Sequence, residues 1–110
     1  MIERADQQRS NSPQLIADVT LYPSSGGGRK SPILPGWGCL CCVSEHEPIA
    51  GYGGFPLLGE APMQPGERRR VGFVFLMGET AARIIQNARK FSLWEGSFVG
   101  EAIVVPSTEL

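Results

Sequence analysis

Three cysteines and one histidine lie close together in the sequence and are the residues best suited to bind a metal ion. Cys39, Cys41 and Cys42 fall within four positions, and His46 follows four residues later. Thiolate and imidazole groups are typical zinc ligands, so Cys39, Cys42 and His46 are candidates for a zinc or redox site. On a strand, however, alternate side chains point to opposite faces, which separates Cys42 from the other two. We therefore expect small apolar strand residues here, and neither a metal nor another cofactor.

His46 is also the residue on which hydrolytic catalysis would depend. It is the only histidine of the chain, and an activated nucleophile needs a neighbouring base that a third group orients. Glu45 and Glu47 flank it, but such a cluster before a proline is more typical of a solvated loop. We therefore expect that the chain is not an enzyme.

Two stretches look like phosphate-binding motifs. Residues 25–31 read Ser-Gly-Gly-Gly-Arg-Lys-Ser, but the P-loop of nucleotide-binding proteins has a glycine directly before its lysine and a helix after it. Here Arg29 precedes Lys30 and Pro32 follows the motif, so we expect no bound nucleotide. The run Arg68–Arg70 could contact phosphates, although charges at the entrance to a strand more often discourage edge pairing.

Composition excludes several broad classes of protein. The 110 residues carry a net charge of −1, so no overall field attracts nucleic acid or an anionic membrane. No apolar run approaches the roughly 18–20 residues that a membrane span needs, and the N-terminus lacks the apolar core of a secretory signal. An odd number of cysteines argues against a disulfide framework. These features predict a cytoplasmic protein without membrane contact.

Glycine and proline punctuate the apolar segments that must position these residues. The chain has 14 glycines and 9 prolines. Their combined share is above the roughly 12% that these two residues make up in average proteins, and this excess favours short strands joined by turns. Alternating or continuous apolar runs predict strands over 14–22, 37–44, 67–77, 91–94 and 98–105. The glycine-rich segment 45–66 predicts a long loop with one or two short strands.

Between residues 78 and 90 the apolar spacing becomes helical, which predicts a short helix with Thr80 as its N-cap. The whole pattern predicts a flexible N-terminal arm over 1–13, a single β-barrel domain over 14–105 and a C-terminal tail over 106–110.

Four motifs in register resemble the C-terminal, third domain of elongation factor Tu. They are a strand leading into Gly-Gly-Arg and a proline, a Gly-Trp pair, a Pro-Gly-Glu turn and a closing hairpin, at residues 18–32, 36–37, 65–67 and 91–104. Order and spacing agree over roughly residues 14–105. The resemblance implies an all-β protein, a small closed six-stranded antiparallel barrel with at most one short helix.

In elongation factor Tu this domain contacts the T-arm of aminoacyl-tRNA, which implies a translation-related role here. By resemblance, the ligand-binding residues are Arg29, Lys30, Trp94, Glu95 and Gly96. Trp94 stands where the family has an arginine, so the inherited surface is altered. Trp37 and Trp94 would be natural anchors if they are exposed, because aromatic residues dominate interface hot spots.

These observations lead to one main hypothesis and two alternatives. The main hypothesis is a non-catalytic binding module for RNA, tRNA-like in character, or for protein, which uses the Gly-Gly-Arg loop and the last hairpin. The first alternative is a small regulatory, inhibitor or immunity-type protein that binds one cognate protein. The second is a Cys/His zinc or redox protein.

Overall fold

The computed structural model describes residues 12–106, which form six strands and one α-helix. The elements are β1 Leu15–Leu21, β2 Cys39–Cys42, β3 Tyr52–Leu57, β4 Arg68–Phe75, α1 Glu79–Ala88, β5 Lys90–Trp94 and β6 Phe98–Val104. All strand pairs are antiparallel, and the order β1-β4-β3-β2-β5-β6 closes because β6 also pairs with β1. The structure confirms the prediction of a closed six-stranded antiparallel barrel with one short helix.

The alternation read in the sequence fills the barrel interior. Along β1 the side chains alternate between buried and half-buried positions, with Leu15 and every second residue after it buried. Phe73 of β4 is fully buried, and its ring lies edge-on to that of Phe91 on β5 at a centroid distance of 5.2 Å. One apolar cluster therefore joins the helix and five of the six strands, and Tyr52 of β3 packs against it.

Helix α1 packs against β4 and β5 with one apolar side. Ala81, Ala82 and Ile85 are buried, whereas Ile84 is 40% exposed. The prediction that Thr80 caps the helix is wrong: Gly78 is the N-cap residue and makes no side-chain cap bond. The chain leaves β4 through Gly78 at φ 61°, a conformation that glycine adopts readily, and the helix therefore begins before Thr80.

The segment over 45–66 contains one strand, β3, as its prediction allowed. It also contributes an isolated antiparallel bridge between Met63 and Ile33, whose side chains are both buried. These contacts tie the loop that follows Arg29 to the barrel.

The chain ends are only partly described. Residues 1–11 of the predicted N-terminal arm and residues 107–110 of the predicted tail lie outside the described residues. Gln14 joins the barrel, since its main-chain N–H donates to the Phe73 carbonyl at 2.8 Å. Within residues 12–106 there is no helix with the length and apolar character required to cross a membrane.

Candidate functional site

The Gly-Gly-Arg loop follows β1 and depends on its glycines. Gly27 has φ 87°, in the left-handed region that favours glycine. A Cβ added to Gly28 would lie 2.2 Å from the main-chain oxygen of Tyr22, so no larger residue fits without a backbone shift. The Ser24 hydroxyl donates to the Arg29 carbonyl at 2.8 Å. The two glycines thus place Arg29 at a fixed point beside the end of β1.

The Arg29 side chain joins this loop to the last hairpin of the barrel. Its Nη1 donates to Glu95 Oε1, across 66 positions of sequence. Its Nε donates to the Ser31 carbonyl at 3.2 Å, and Nη2 lies 3.3 Å from Ser31 Oγ and 3.4 Å from the Pro32 carbonyl. The guanidinium therefore folds its own loop around itself while it binds the carboxylate of the β5–β6 turn.

Trp37 completes this contact from the segment that leads into β2. Its indole Nε1 donates to Glu95 Oε2 at 2.9 Å, and the Arg29 guanidinium carbon lies 5.6 Å from the centre of its ring, within cation–π range. We name Arg29, Trp37 and Glu95 the Arg–Trp–Glu cluster. The side chains of Arg29 and Glu95 keep 20% and 29% of their surface exposed, so the cluster is accessible from solvent.

The structure brings together two of the five residues that the resemblance implied. Arg29 and Glu95 are in direct contact, and Lys30, which follows Arg29 in the chain, is exposed. Gly96 lies in the hairpin turn at φ 88°. Trp94 is half-buried and lies opposite Leu40 and Phe98, at a register shift in β5.

Trp37 is the member of the cluster to which the sequence analysis gave only a conditional role. Its signal was the Gly-Trp pair at residues 36–37, together with the preference of aromatic residues for interfaces. Its bond to Glu95 spans 58 positions of sequence, and no local pattern reports such a contact. The position of Trp37 follows instead from the closure of the barrel.

The arginine run at the start of β4 binds groups of its own chain. Arg69 donates to Glu67 and to the carbonyls of Ala61 and Pro62 at 2.7–2.9 Å. Arg70 donates twice to the Asp18 carboxylate, at 2.8 and 3.1 Å, and this hydrogen bonding lowers the pKa of Asp18. The run therefore stabilises the barrel wall, and two of its three charges have acidic partners.

The metal candidates are not brought together. Cys41 is fully buried in the core and Cys39 packs against the core, whereas Cys42 is buried outside that cluster, as alternation on a strand requires. His46 lies exposed on the loop after β2, where its main-chain N–H donates to Ser44 Oγ at 3.2 Å. Within residues 12–106 no group of three or more His, Cys, Asp or Glu side chains is arranged to hold a metal ion.

A groove of about 570 Å³ lies beside β5 and β6, and Glu45, Cys42 and Lys90 are among its lining residues. Glu45 Oε1 accepts a hydrogen bond from the buried Ser92 hydroxyl at 2.8 Å. Burial raises the pKa of Cys42, which keeps it a neutral thiol, whereas cysteine acts as a nucleophile in its thiolate form. The groove is therefore polar and has a poor nucleophile in Cys42.

Comparisons with known proteins give no family for this chain. A scan against protein-family models finds no match, and a search among curated proteins finds no relative. The resemblance to the third domain of elongation factor Tu rests on the four sequence motifs and stays a prediction. The closed barrel and the contact between Arg29 and Glu95 come from the structure itself.

Proposed function

We propose that this chain is a non-catalytic binding module that recognises a protein partner through the end of the barrel carrying the Arg–Trp–Glu cluster. The observation that carries the proposal is the ion pair between Arg29 and Glu95, which fixes two distant loops and a tryptophan in one partly exposed arrangement. Tryptophan and arginine are the residues that most often dominate binding energy at protein interfaces. Side chains held in place before binding lose less entropy when a partner arrives.

The charges of the cluster favour a protein over RNA. Affinity for nucleic acid depends on basic side chains that neutralise phosphates, but Glu95 already neutralises the Arg29 guanidinium. Lys30, which follows Arg29 in the chain, is an exposed basic side chain. Leu34, three residues before Trp37 in the chain, is 56% exposed and offers a partner an apolar contact. RNA binding, which the resemblance implies, is the alternative that the experiment below separates.

The regulatory, inhibitor or immunity-type hypothesis is a special case of this proposal, since it also requires one cognate protein. A zinc or redox function through Cys39, Cys42 and His46 has less support, because these side chains do not converge. We also propose that the protein is cytoplasmic and acts in translation. Only the sequence motifs and the composition support this part of the proposal.

The test is affinity capture from the native cell with the immobilised full chain. Trp37→Ala and Arg29→Ala remove parts of the cluster, and Arg83→Ala, on the exposed side of α1, is the matched control. We expect one protein to be retained by the wild-type chain and by Arg83→Ala, after nuclease treatment and in high salt, and to be lost with both cluster variants.

Two results would contradict the proposal. The first is retention of RNA without protein, in a manner that falls steeply with salt and with Lys30→Ala, which would establish the nucleic-acid alternative. The second is a captured protein whose binding is equally strong with all three variants, which would place recognition elsewhere on the barrel.

A further inference from the structure

Ser31 contacts the Arg–Trp–Glu cluster, and its hydroxyl is both exposed and next to the guanidinium of that cluster. Arg29 Nη2 lies 3.3 Å from Ser31 Oγ, and Arg29 Nε donates to the Ser31 carbonyl at 3.2 Å. Ser31 itself is exposed in a bend of the chain. A charged group attached to this hydroxyl would therefore lie within reach of Arg29.

The residues around Ser31 form a pattern that suits recognition by a protein kinase. Arg29 and Lys30 precede it, and Pro32 follows it. Kinases select their substrates in part by the charges around the acceptor hydroxyl. Ser25, in the same loop, is exposed too but has no charged residue in the two positions before it. Ser31 is therefore the better acceptor of the two.

We propose that Ser31 is a phosphorylation site, and that its phosphate binds Arg29 in place of Glu95 and so opens the Arg–Trp–Glu cluster. A protein kinase transfers the γ-phosphoryl group of a nucleoside triphosphate to the hydroxyl. The bond between Ser31 Oγ and phosphorus forms, the bond from phosphorus to the bridging oxygen breaks, and the nucleoside diphosphate leaves with the electron pair. The hydroxyl proton passes to a base of the kinase.

Charge and proximity favour the phosphate over Glu95 as the partner of Arg29. A phosphoserine carries a charge of about −1.5 to −2 at pH 7, which exceeds that of a carboxylate, and arginine binds phosphate through two parallel hydrogen bonds. Ser31 is 2 positions from Arg29, whereas Glu95 is 66 positions away. Because the phosphate belongs to the same loop, it reaches Arg29 without the entropic cost that an anion on another molecule bears.

The position of Glu95 allows it to leave once the phosphate is present. Its carboxylate and Ser31 Oγ contact nitrogens of the same guanidinium, so the phosphate and the carboxylate would repel each other. The Glu95 side chain is 29% exposed and becomes hydrated as it moves away. The Gly-Gly-Arg loop and the β5–β6 turn then lose their direct connection, and the Trp37 indole loses its fixed acceptor.

The first experiment tests whether Ser31 is modified. The full chain is incubated with an extract of its native cell and with ATP labelled at the γ-phosphate, and the labelled residue is identified by mass spectrometry. We expect label in the wild-type chain and in Ser25→Ala, and its loss in Ser31→Ala. A wild-type chain without label, or Ser31→Ala labelled at the wild-type level, would overturn the assignment of this site.

The second experiment tests the exchange in the isolated full chain, with phosphoserine incorporated at position 31 or, as the matched control, at position 25. Melting temperatures are measured for Arg29→Ala, Glu95→Ala and the double variant of each form. The shifts should be non-additive by roughly 4–8 °C in the unmodified and position-25 forms, and additive in the position-31 form. Equal non-additivity in all forms would show that Glu95 keeps Arg29. That result, or additivity in the unmodified chain, overturns the exchange.

Control of partner binding by this phosphate rests on the proposed recognition function, whereas the exchange is a property of the chain alone. In affinity capture, the position-31 form should retain the partner protein at least about fivefold more weakly than the position-25 form, the factor that corresponds to loss of one contact. Equal retention by both forms would overturn control by the phosphate. If no form captures a protein, the recognition function fails, and the first two experiments still decide the site and the exchange.

Discussion

Removal of the contact between Arg29 and Glu95 should lower the free energy of unfolding by a small but measurable amount. The effects of substituting the two residues should be coupled, that is, non-additive. We consider a double-mutant cycle made of Arg29→Ala, Glu95→Ala and the double variant. Exposed ion pairs contribute about 0.2–1 kcal/mol, and this pair lies between exposed and buried, with 20% and 29% of the side chains accessible. Both carboxylate oxygens of Glu95 have donors, which restrains the geometry. We expect a coupling energy near the upper end, about 1 kcal/mol.

The assay is urea denaturation of the four proteins at low and high salt. About 1 kcal/mol corresponds to a shift of roughly 4–8 °C in melting temperature for a domain of this size, so thermal scans provide a second measurement. The Debye length falls from about 10 Å at 0.1 M salt to about 3 Å at 1 M, and the coupling should decrease accordingly. A parallel cycle that pairs Glu95 with the distant Arg83 should give no coupling.

The reasoning fails if the Arg29 and Glu95 losses are additive at low salt. Additivity would mean that the two side chains do not hold each other, and that the loop and hairpin are positioned by the barrel alone. The cluster would then lack the preorganisation on which the proposed recognition depends.

Three further predictions concern the elements that support this site. Gly28→Ala should lower the free energy of unfolding, measured in urea, by about 1–3 kcal/mol, because the new Cβ would lie 2.2 Å from the Tyr22 oxygen. A change near zero would show that the loop backbone can shift without cost. The pKa of Asp18 is lowered chiefly by the hydrogen bond from Arg70, so this group stabilises the fold above its unfolded pKa of about 3.9, and the contribution is lost as pH falls through the folded value. Asp18→Asn should therefore reduce the acid sensitivity of the urea midpoint below about pH 4, and an unchanged pH profile would contradict the assignment. Phe73→Ala, at a fully buried position, should cost about 3–5 kcal/mol, and a loss below 1 kcal/mol would show that the core is not centred there.

Most of the barrel could be read from the sequence because its strands carry their own signal. β1 alternates, β4 is a nearly continuous β-branched and aromatic run, and the last hairpin is marked by its Glu-Gly turn. β3 was the hardest to predict, since its sequence Tyr-Gly-Gly-Phe-Pro-Leu contains residues that are rare in strands. Its Gly54 is required by the Cys41 thiol, and Pro56 lies beyond the residues that pair with β2. Tertiary contacts therefore override the local preference there.

The site could be predicted only in part, for a related physical reason. The Gly-Gly-Arg and Glu-Gly motifs pointed to Arg29 and Glu95, but nothing local shows that Trp37 donates to the same carboxylate. The start of helix α1 is a similar case. Gly78, and not the predicted Thr80, is its N-cap residue because of the way in which the chain leaves β4. Such features depend on where the closed sheet places distant segments.

Under the proposed recognition function, the arrangement of the cluster also restricts the kind of partner that would bind there. The Arg29 guanidinium already forms an ion pair with the Glu95 carboxylate. An incoming carboxylate or phosphate would have to displace Glu95, so its net gain in binding free energy would be small. A partner gains more from covering the Trp37 ring and the exposed Leu34, since apolar burial contributes about 25 cal/mol per Å². The affinity of such binding depends weakly on salt and is determined mainly by the dissociation rate. A complex whose association rate fell many-fold between low and high salt would therefore show that charge, and not the tryptophan, selects the partner.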